Sequence, residues 1–296
     1  MENQKNSLQD KAKIVSFINM KGGVGKTTLC IELGKKISSE LSGKDNQRIL
    51  FIDIDPQSNL TQAMMEHYYP ENEDETDVSI QNLFVKHPTG ADKSSIIFKI
   101  NDKIDLIPGE LETVFLERSS GSSTANELLN FINDFKIKRD YKYIFIDCPP
   151  TYSIYTEMAF YVSDYYLVPV IPDKYATVGV DLLERVVADI IRLNRNTVFQ
   201  NKEYPKNLGI IFTRVDDKNK KKQAKFQNAM RKSNIVKEDE LYVFKNVFRE
   251  SNKLSTFPLG KFISDTKDTR LLKEIDKICS EFEDRINILE TDKTDN

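Results

Sequence analysis

Histidine and cysteine are scarce in this chain: two His and three Cys among 296 residues. His67 and His87 have no second histidine or cysteine at metal-ligand spacing, so a zinc centre is not expected and both read as surface residues. Cys30, Cys148 and Cys279 are odd in number and widely spaced. They build neither a disulfide framework nor a four-cysteine metal site, and read as small buried residues. Long apolar runs are missing as well. No segment approaches the ~20 apolar residues that a membrane-spanning helix needs, and the opening stretch MENQKNSLQDKA lacks the apolar part of a signal peptide. A cytoplasmic protein with no membrane partner is the expectation. Eleven Gly and ten Pro are too few for a low-complexity or collagen-like chain, and no internal repeat is found.

What is present suits one globular domain. A hydrophobic content of 39% over this length can bury one large core, and 30% charged residues of both signs suit a soluble surface. The formal net charge of -3 says little about nucleic acid, because a global acid excess does not locate the basic residues. Short, nearly continuous apolar runs at Ile14–Ile18, Ile49–Ile52, Tyr143–Ile146, Tyr165–Ile171 and Leu208–Phe212 read as parallel strands buried on both faces. Tyr165 and Tyr166 fall in one of them and read as core. Amphipathic stretches at Thr27–Leu41, Ala125–Phe135 and Val178–Leu193 read as helices, and Leu271–Leu289 as a closing helix. Strands alternating with helices predict an α/β fold, a single-domain, doubly wound and mainly parallel sheet with helices on both faces and its site at the carboxyl ends of the strands. The domain is expected over 13–290, between a flexible extension at 1–12 and a flexible tail at 291–296. The acidic stretch Tyr69–Asp77 reads as a mobile surface loop.

The segment Lys21-Gly22-Gly23-Val24-Gly25-Lys26-Thr27-Thr28 follows the first strand and opens the first long helix, the context a phosphate-binding loop requires. Glycines let backbone N–H groups close around phosphate oxygens, and the helix N-terminus adds its positive end. Lys26 is expected at the β and γ phosphates and the Thr27 hydroxyl on Mg²⁺. Farther on, Asp53 and Asp55 stand at alternate positions near a strand end and point the same way, as metal-site and water-orienting groups need to. Read alone, they equally suit an Asp-Pro turn that merely ends the strand.

The usual phosphate loop has a glycine where this chain has Met20, and here Lys21 precedes paired glycines instead. This resembles the deviant loop of the ParA, MinD and nitrogenase iron-protein group of P-loop NTPases, and the order of motifs along the chain resembles ParA partition ATPases most. Asp53-Ile54-Asp55-Pro56-Gln57-Ser58-Asn59 looks like the family's DxDPQGN with Ser58 in place of Gly, and Ile146-Asp147-Cys148-Pro149-Pro150 is similar to its Walker B segment. The resemblance implies that Lys21 reaches across a dimer interface to the partner's nucleotide. It also implies that Asp55 positions the attacking water, that Asp53 supports Mg²⁺ from its outer shell, and that Asp147 holds the Mg²⁺ shell. Pro172–Gly179 resembles a stretch lining the dimer interface. Thr213 and Asp216 fall where relatives contact the base. Asp216 also resembles an element of related GTPases, which leaves guanine open, although the family favours adenine. The implied cofactors are ATP and Mg²⁺, with slow basal hydrolysis.

Between Lys218 and Lys232 the chain carries Lys218, Lys220, Lys221, Lys222, Lys225, Arg231 and Lys232 with no acid among them. Such a cluster can bind DNA phosphates without reading sequence. An isolated lysine run is as readily a solvated helix face, but ParA dimers present basic residues in this place. Phe244–Ser255 resembles a further family segment, in which Arg249 and Lys253 would extend the basic surface. No aromatic platform is interleaved with these bases, which disfavours a single-strand stacking site. The resemblance therefore implies a homodimer in the ATP state, non-specific double-stranded DNA, a ParB-like centromere-binding partner and a nucleoid-associated protein. The N-terminal extension is expected to be too short for a helix-turn-helix domain. The alternative is a MinD-like membrane-cycling ATPase. Against it, the tail is rich in acids, from Glu274 to Asp295, that anionic lipid would repel. A redox iron protein would need cysteines that bridge subunits, and Cys30 and Cys148 fall inside the nucleotide motifs.

Overall fold

The computed structural model describes residues 12–43, 47–71, 77–85, 93–111, 124–251, 254 and 261–294. Its eight strands are β1 (Lys13–Phe17), β2 (Ile49–Asp53), β3 (Phe98–Lys99), β4 (Ile104–Ile107), β5 (Tyr143–Asp147), β6 (Tyr165–Val170), β7 (Lys206–Val215) and β8 (Phe248–Arg249). They form one sheet in the order β3-β4-β2-β5-β1-β6-β7-β8. Every pairing is parallel except the β3–β4 edge. The α/β sheet expected from the sequence is the one observed. Because β1 sits between β5 and β6, the chain leaves β1 at the point where the sheet is wound in both directions, the place where open α/β sheets bind ligands.

Alternation along each strand decides which helices cover which face. On one face Ile14, Leu50, Ile52, Ile144, Ile146, Val168 and Phe212 belong to a single apolar cluster. It is covered by α4 (Glu127–Asp134), α5 (Ile154–Val162), α6 (Ala176–Asn194) and, through Met230, α7 (Lys220–Lys232). On the other face Val15, Phe17, Phe51, Phe145 and Leu167 pack against α1 (Lys26–Glu40), α2 (Asn59–Tyr68) and the C-terminal α9 (Thr269–Thr294). Two short helices, α3 (Asn82–Val85) and α8 (Asn234–Glu238), are also present among the described residues. Strands buried on both faces have no polar face to display, which is why they read as continuous apolar runs. On the α9 side, Phe145 meets Phe17, Phe51 and Phe282 edge-on at centroid separations of 5.2, 6.2 and 5.7 Å. Such pairs contribute about 0.5–1.5 kcal/mol each beyond area burial, so Phe282 ties the closing helix to the middle of the sheet.

The sequence reading locates five of the strands and misses three. β4 is fully buried but carries Asp105, which interrupts the apolar run. That carboxylate is satisfied inside the protein by the Tyr141 hydroxyl at 2.6 Å and by Arg48. β3 and β8 are two residues each, too short for any periodicity. α5 escapes for the opposite reason: seven of its nine residues are buried, so no 3.6-residue pattern appears. Lys253, His87 and most of the acidic stretch at 72–76 lie outside the described residues, as do 1–11 and 295–296.

Candidate nucleotide site

The loop between β1 and α1 turns back through two glycines in left-handed conformations, Gly23 at φ 70° and Gly25 at φ 84°. A side chain would be strained at either. Gly25 sits at the N-cap of α1, so the N–H groups of Lys26, Thr27 and Thr28 begin the helix with no carbonyl four residues earlier to bond. Asn19, just after β1, and side chains of β7 hold the loop from outside. Asn19 donates to Pro169 O at 2.7 Å and accepts the Lys21 N–H at 2.9 Å. The Thr213 hydroxyl donates to Val24 O at 2.6 Å, and Arg214 donates to Gly23 O at 3.0 Å. With these carbonyls taken up on the outer side, the concave side is left to the amides, the geometry that receives phosphate oxygens.

Lys26 is buried, yet among the described residues its ammonium reaches only the Asn19 and Lys21 carbonyls, at 3.3 and 3.5 Å. Burial pulls its pKa below the usual lysine range, against the attraction of Asp147, Cys148 and Asp55. An anion beside it would restore the charged form. The Thr27 hydroxyl donates to Asp147 Oδ2 at 2.6 Å, whereas the buried Oδ1 of Asp147 has no hydrogen-bond partner. A hydroxyl and a carboxylate are hard oxygen donors, the kind Mg²⁺ takes together with phosphate oxygens and water. Among the described residues no group of three or more His, Cys, Asp or Glu is placed to hold a metal by itself. The two residues therefore fit a cation shared with a phosphate ligand better than a dedicated protein cage.

The two acids after β2 separate. Asp55 lines the cavity, and its Oδ1 accepts the Gln57 N–H at 3.0 Å. Asp53 is fully buried beside Asp147, its register partner across β2 and β5. Its Oδ2 accepts both the N–H and the hydroxyl of Thr61 at 2.8 Å, and its Oδ1 accepts the Asp55 N–H at 3.2 Å. Burial pushes the Asp53 carboxyl up despite those bonds. Gly109 leaves room for it, since a Cβ there would stand 2.9 Å from the Asp53 Cγ. Asp53 thus anchors the first turn of α2.

These walls enclose a cavity of about 540 Å³ that includes Gly22 to Thr28 and Asp55. Lys21 is not on its lining. It lies at the rim, half-exposed, paired with Asp173 at the entrance to α6, and Asp173 also accepts the Tyr175 N–H at 2.9 Å. Neither Thr213 nor Asp216 lines the cavity. Both Asp216 oxygens are engaged in its own turn, accepting from the Lys218 N–H and the Asn219 amide at 2.8 Å. Among the lining residues that sequence reasoning did not assign to the site are Arg214, Glu32 and Phe262. Arg214, in left-handed backbone at φ 49°, bridges Gly23 and Glu250. Glu32 and Phe262 also line the cavity. Arg214 lies within a recognised motif, whereas Glu32 and Phe262 meet only through the tertiary fold.

The basic stretch divides in the structure. Lys218, Lys220, Lys221, Lys222, Lys225 and Lys232 are exposed and form no ion pair with a described carboxylate. Arg231 is turned inward, donating to Val243 O at 2.9 Å and Phe244 O at 2.6 Å. Arg249 lines the nucleotide cavity and is held by Asp217 at 2.9 Å and Glu274 at 2.7 Å. These two arginines are thereby removed from the outer basic surface that the sequence suggests, because carbonyls and carboxylates inside the fold claim them. Among the described residues, no helix is long and apolar enough to cross a membrane.

Comparison with known proteins agrees with this geometry. Residues 12–200, more than half of the chain, match the model of the AAA domain family. The sporulation initiation inhibitor protein Soj of Bacillus subtilis is 31% identical over 62% of this chain and 68% of its own length. The virulence plasmid ParA family protein pGP5-D of Chlamydia psittaci is 25% identical over 89% of this chain and 94% of its own. Among solved structures, a plasmid partition protein of Borrelia burgdorferi bound to AMPPNP superposes with a TM-score of 0.70 at 22% identity. It covers 93% of this chain and 100% of that one, a likeness of fold. The chain belongs to the ParA-type P-loop ATPases of the AAA domain family.

Proposed function

We propose that this protein is an ATP-dependent DNA partition switch. ATP with Mg²⁺ would occupy the cavity: Lys26 would meet the β and γ phosphates, and Thr27 and Asp147 would hold the metal, which would offset the phosphate charge. Asp55, the acid on the cavity wall, orients the attacking water, and Asp53 steadies the floor by fixing α2. Hydrolysis is phosphoryl transfer to water by positioning and charge stabilisation. Two ATP-bound subunits join face to face, with Lys21 swinging from Asp173 to the partner's nucleotide. The dimer binds double-stranded DNA through the lysines of α7, and a ParB-like centromere-binding protein stimulates hydrolysis and release. The protein is then cytoplasmic and nucleoid-associated.

The observation that carries this reading is one of placement. α7 starts just beyond the carboxyl end of β7, so Lys218 to Lys222 lie at the same end of the sheet as the loop that holds Lys26. A nucleotide-driven change there can move the basic surface directly. Sedimentation tests it: ATP with Mg²⁺ should convert monomer to dimer, and Lys26→Ala should abolish both nucleotide binding and dimerisation. A mutant that binds nucleotide as the native chain does would remove the site assignment.

A further inference from the structure

The cavity continues past the phosphate loop along α1. Thr28, Ile31 and Glu32 all line it, and at ~1.5 Å per residue Glu32 lies about 6 Å beyond Thr28. That is one nucleoside's reach from a phosphate held at the helix N-terminus. The same lining includes Phe248, Leu254 and Phe262, which give this part of the cavity an apolar character. Glu32 is the acid at this end, and it is only 4% exposed. Its Oε1 accepts the Ile263 N–H at 2.9 Å. Its Oε2 makes no hydrogen bond among the described residues and keeps an accessible edge. An oxygen that meets the cavity through so narrow an edge has little room for water, so a donor supplied by a ligand would be favourable there. Asp216, the acid expected near the base, is committed to its own turn.

We propose that Glu32 determines base specificity, its free Oε2 accepting a hydrogen bond from the exocyclic amino group of a 6-aminopurine. This assignment rests on the nucleotide reading of the cavity. Above about pH 7, where Glu32 is ionised, its carboxylate offers acceptors only. Adenine places an N–H donor at position 6, whereas hypoxanthine and guanine place an oxygen there, which would set two acceptors against each other in a dry site. Ile263 holds the other oxygen and so fixes the orientation of the group. The charge of Lys35, about one turn along the same helix, acts on Glu32, and its ammonium is stacked on Phe262, 3.6 Å from the ring centroid. Asp265 faces it from the segment after Phe262.

The test is equilibrium binding, at a pH well above 7 so that Glu32 is ionised, of three Mg²⁺ complexes: ATP, ITP and purine riboside triphosphate, which has hydrogen at position 6. The native protein should prefer ATP over both by about tenfold or more, as a buried hydrogen-bond acceptor discriminates against analogues that lack its donor. Glu32→Gln keeps an oxygen for the Ile263 N–H but can present an amide donor to the base. It should lose most of the ATP preference and improve on ITP. An ATP-to-ITP ratio unchanged in the variant would overturn the assignment, as would native protein that fails to distinguish ATP from the purine riboside nucleotide. The latter comparison needs no mutant to fold. If the native chain binds none of the three, the nucleotide reading falls and this assignment with it. Binding of all three with equal affinity would remove only the role of Glu32.

Discussion

At the scale of single residues, the site is a set of charges each held by a neighbour. The pair between Lys21 and Asp173 joins two partly exposed side chains, and exposed pairs contribute about 0–1 kcal/mol. Such a contact can orient Lys21 without opposing its transfer elsewhere. Glu32 is different because it is buried. Loss of solvent pushes its carboxyl up from 4.5 to about 7, against the Ile263 N–H bond and the charge of Lys35. An unfolded chain releases this proton near 4.5, so between 4.5 and 7 the folded state holds a proton that the unfolded state has lost. The contribution of Glu32 to stability is therefore fully present below about 4.5 and is lost as pH rises through 7. Its span is at most about 3 kcal/mol. Glu32→Gln should match the native protein at the acid end and become more stable than it above pH 7. Urea unfolding across that range would read this directly, and parallel stability curves for the two proteins would count against it.

At the scale of elements, the junction between α1 and the sheet is set by a missing side chain. Gly34 lies in α1 directly over β2, and a Cβ on it would stand 2.3 Å from Phe51 Cζ and 2.6 Å from its Cε1. Alanine improves helix propensity by about 1 kcal/mol, but overpacking a tight core typically costs about 1–3 kcal/mol. The clash is with a ring that is itself locked against Phe145, so the cost should win. Gly34→Ala is expected to lower the urea midpoint, and Phe51→Leu in the same chain should recover much of the loss. A stabilised single variant would mean that Phe51 can turn aside. The same element shows what can be read from sequence. Lys26, Thr27 and the apolar spacing of α1 are local, so the loop, the helix and their order are legible. Glu32 and Ile263 are 231 residues apart in the chain, and no local pattern announces that one carboxylate oxygen will be tied down and the other left facing a cavity. Asp216 shows the converse. Its spacing after Thr213 suggests a base contact, but a short turn claims both oxygens first.

At the scale of the whole molecule, the net charge of -3 conceals a division of labour. The acids of α9 do not form an unopposed negative surface, because many meet bases on the body. Lys36 pairs with Asp276 at 2.8 Å, Lys142 with Glu283 at 2.8 Å and Arg249 with Glu274 at 2.7 Å, while Lys13 pairs with Glu290. Acid and base cancel along that helix. The lysines of α7 have no such counterparts among the described residues, and so form a positive field on an otherwise acidic protein. Each phosphate contact on duplex DNA contributes about -0.9 to the slope of log affinity against log salt. Replacing Lys220, Lys221, Lys222 and Lys225 together with glutamine should therefore weaken ATP-dependent DNA binding for every sequence alike. It should also flatten that slope by up to about 3–4. Nucleotide binding should persist, since these side chains are exposed and none lines the cavity. The measurement is a DNA titration with ATP and Mg²⁺ at several salt concentrations. A slope equal to that of the native protein would place the DNA-binding surface somewhere other than α7. Loss of nucleotide binding as well would show that the helix serves the site rather than the DNA.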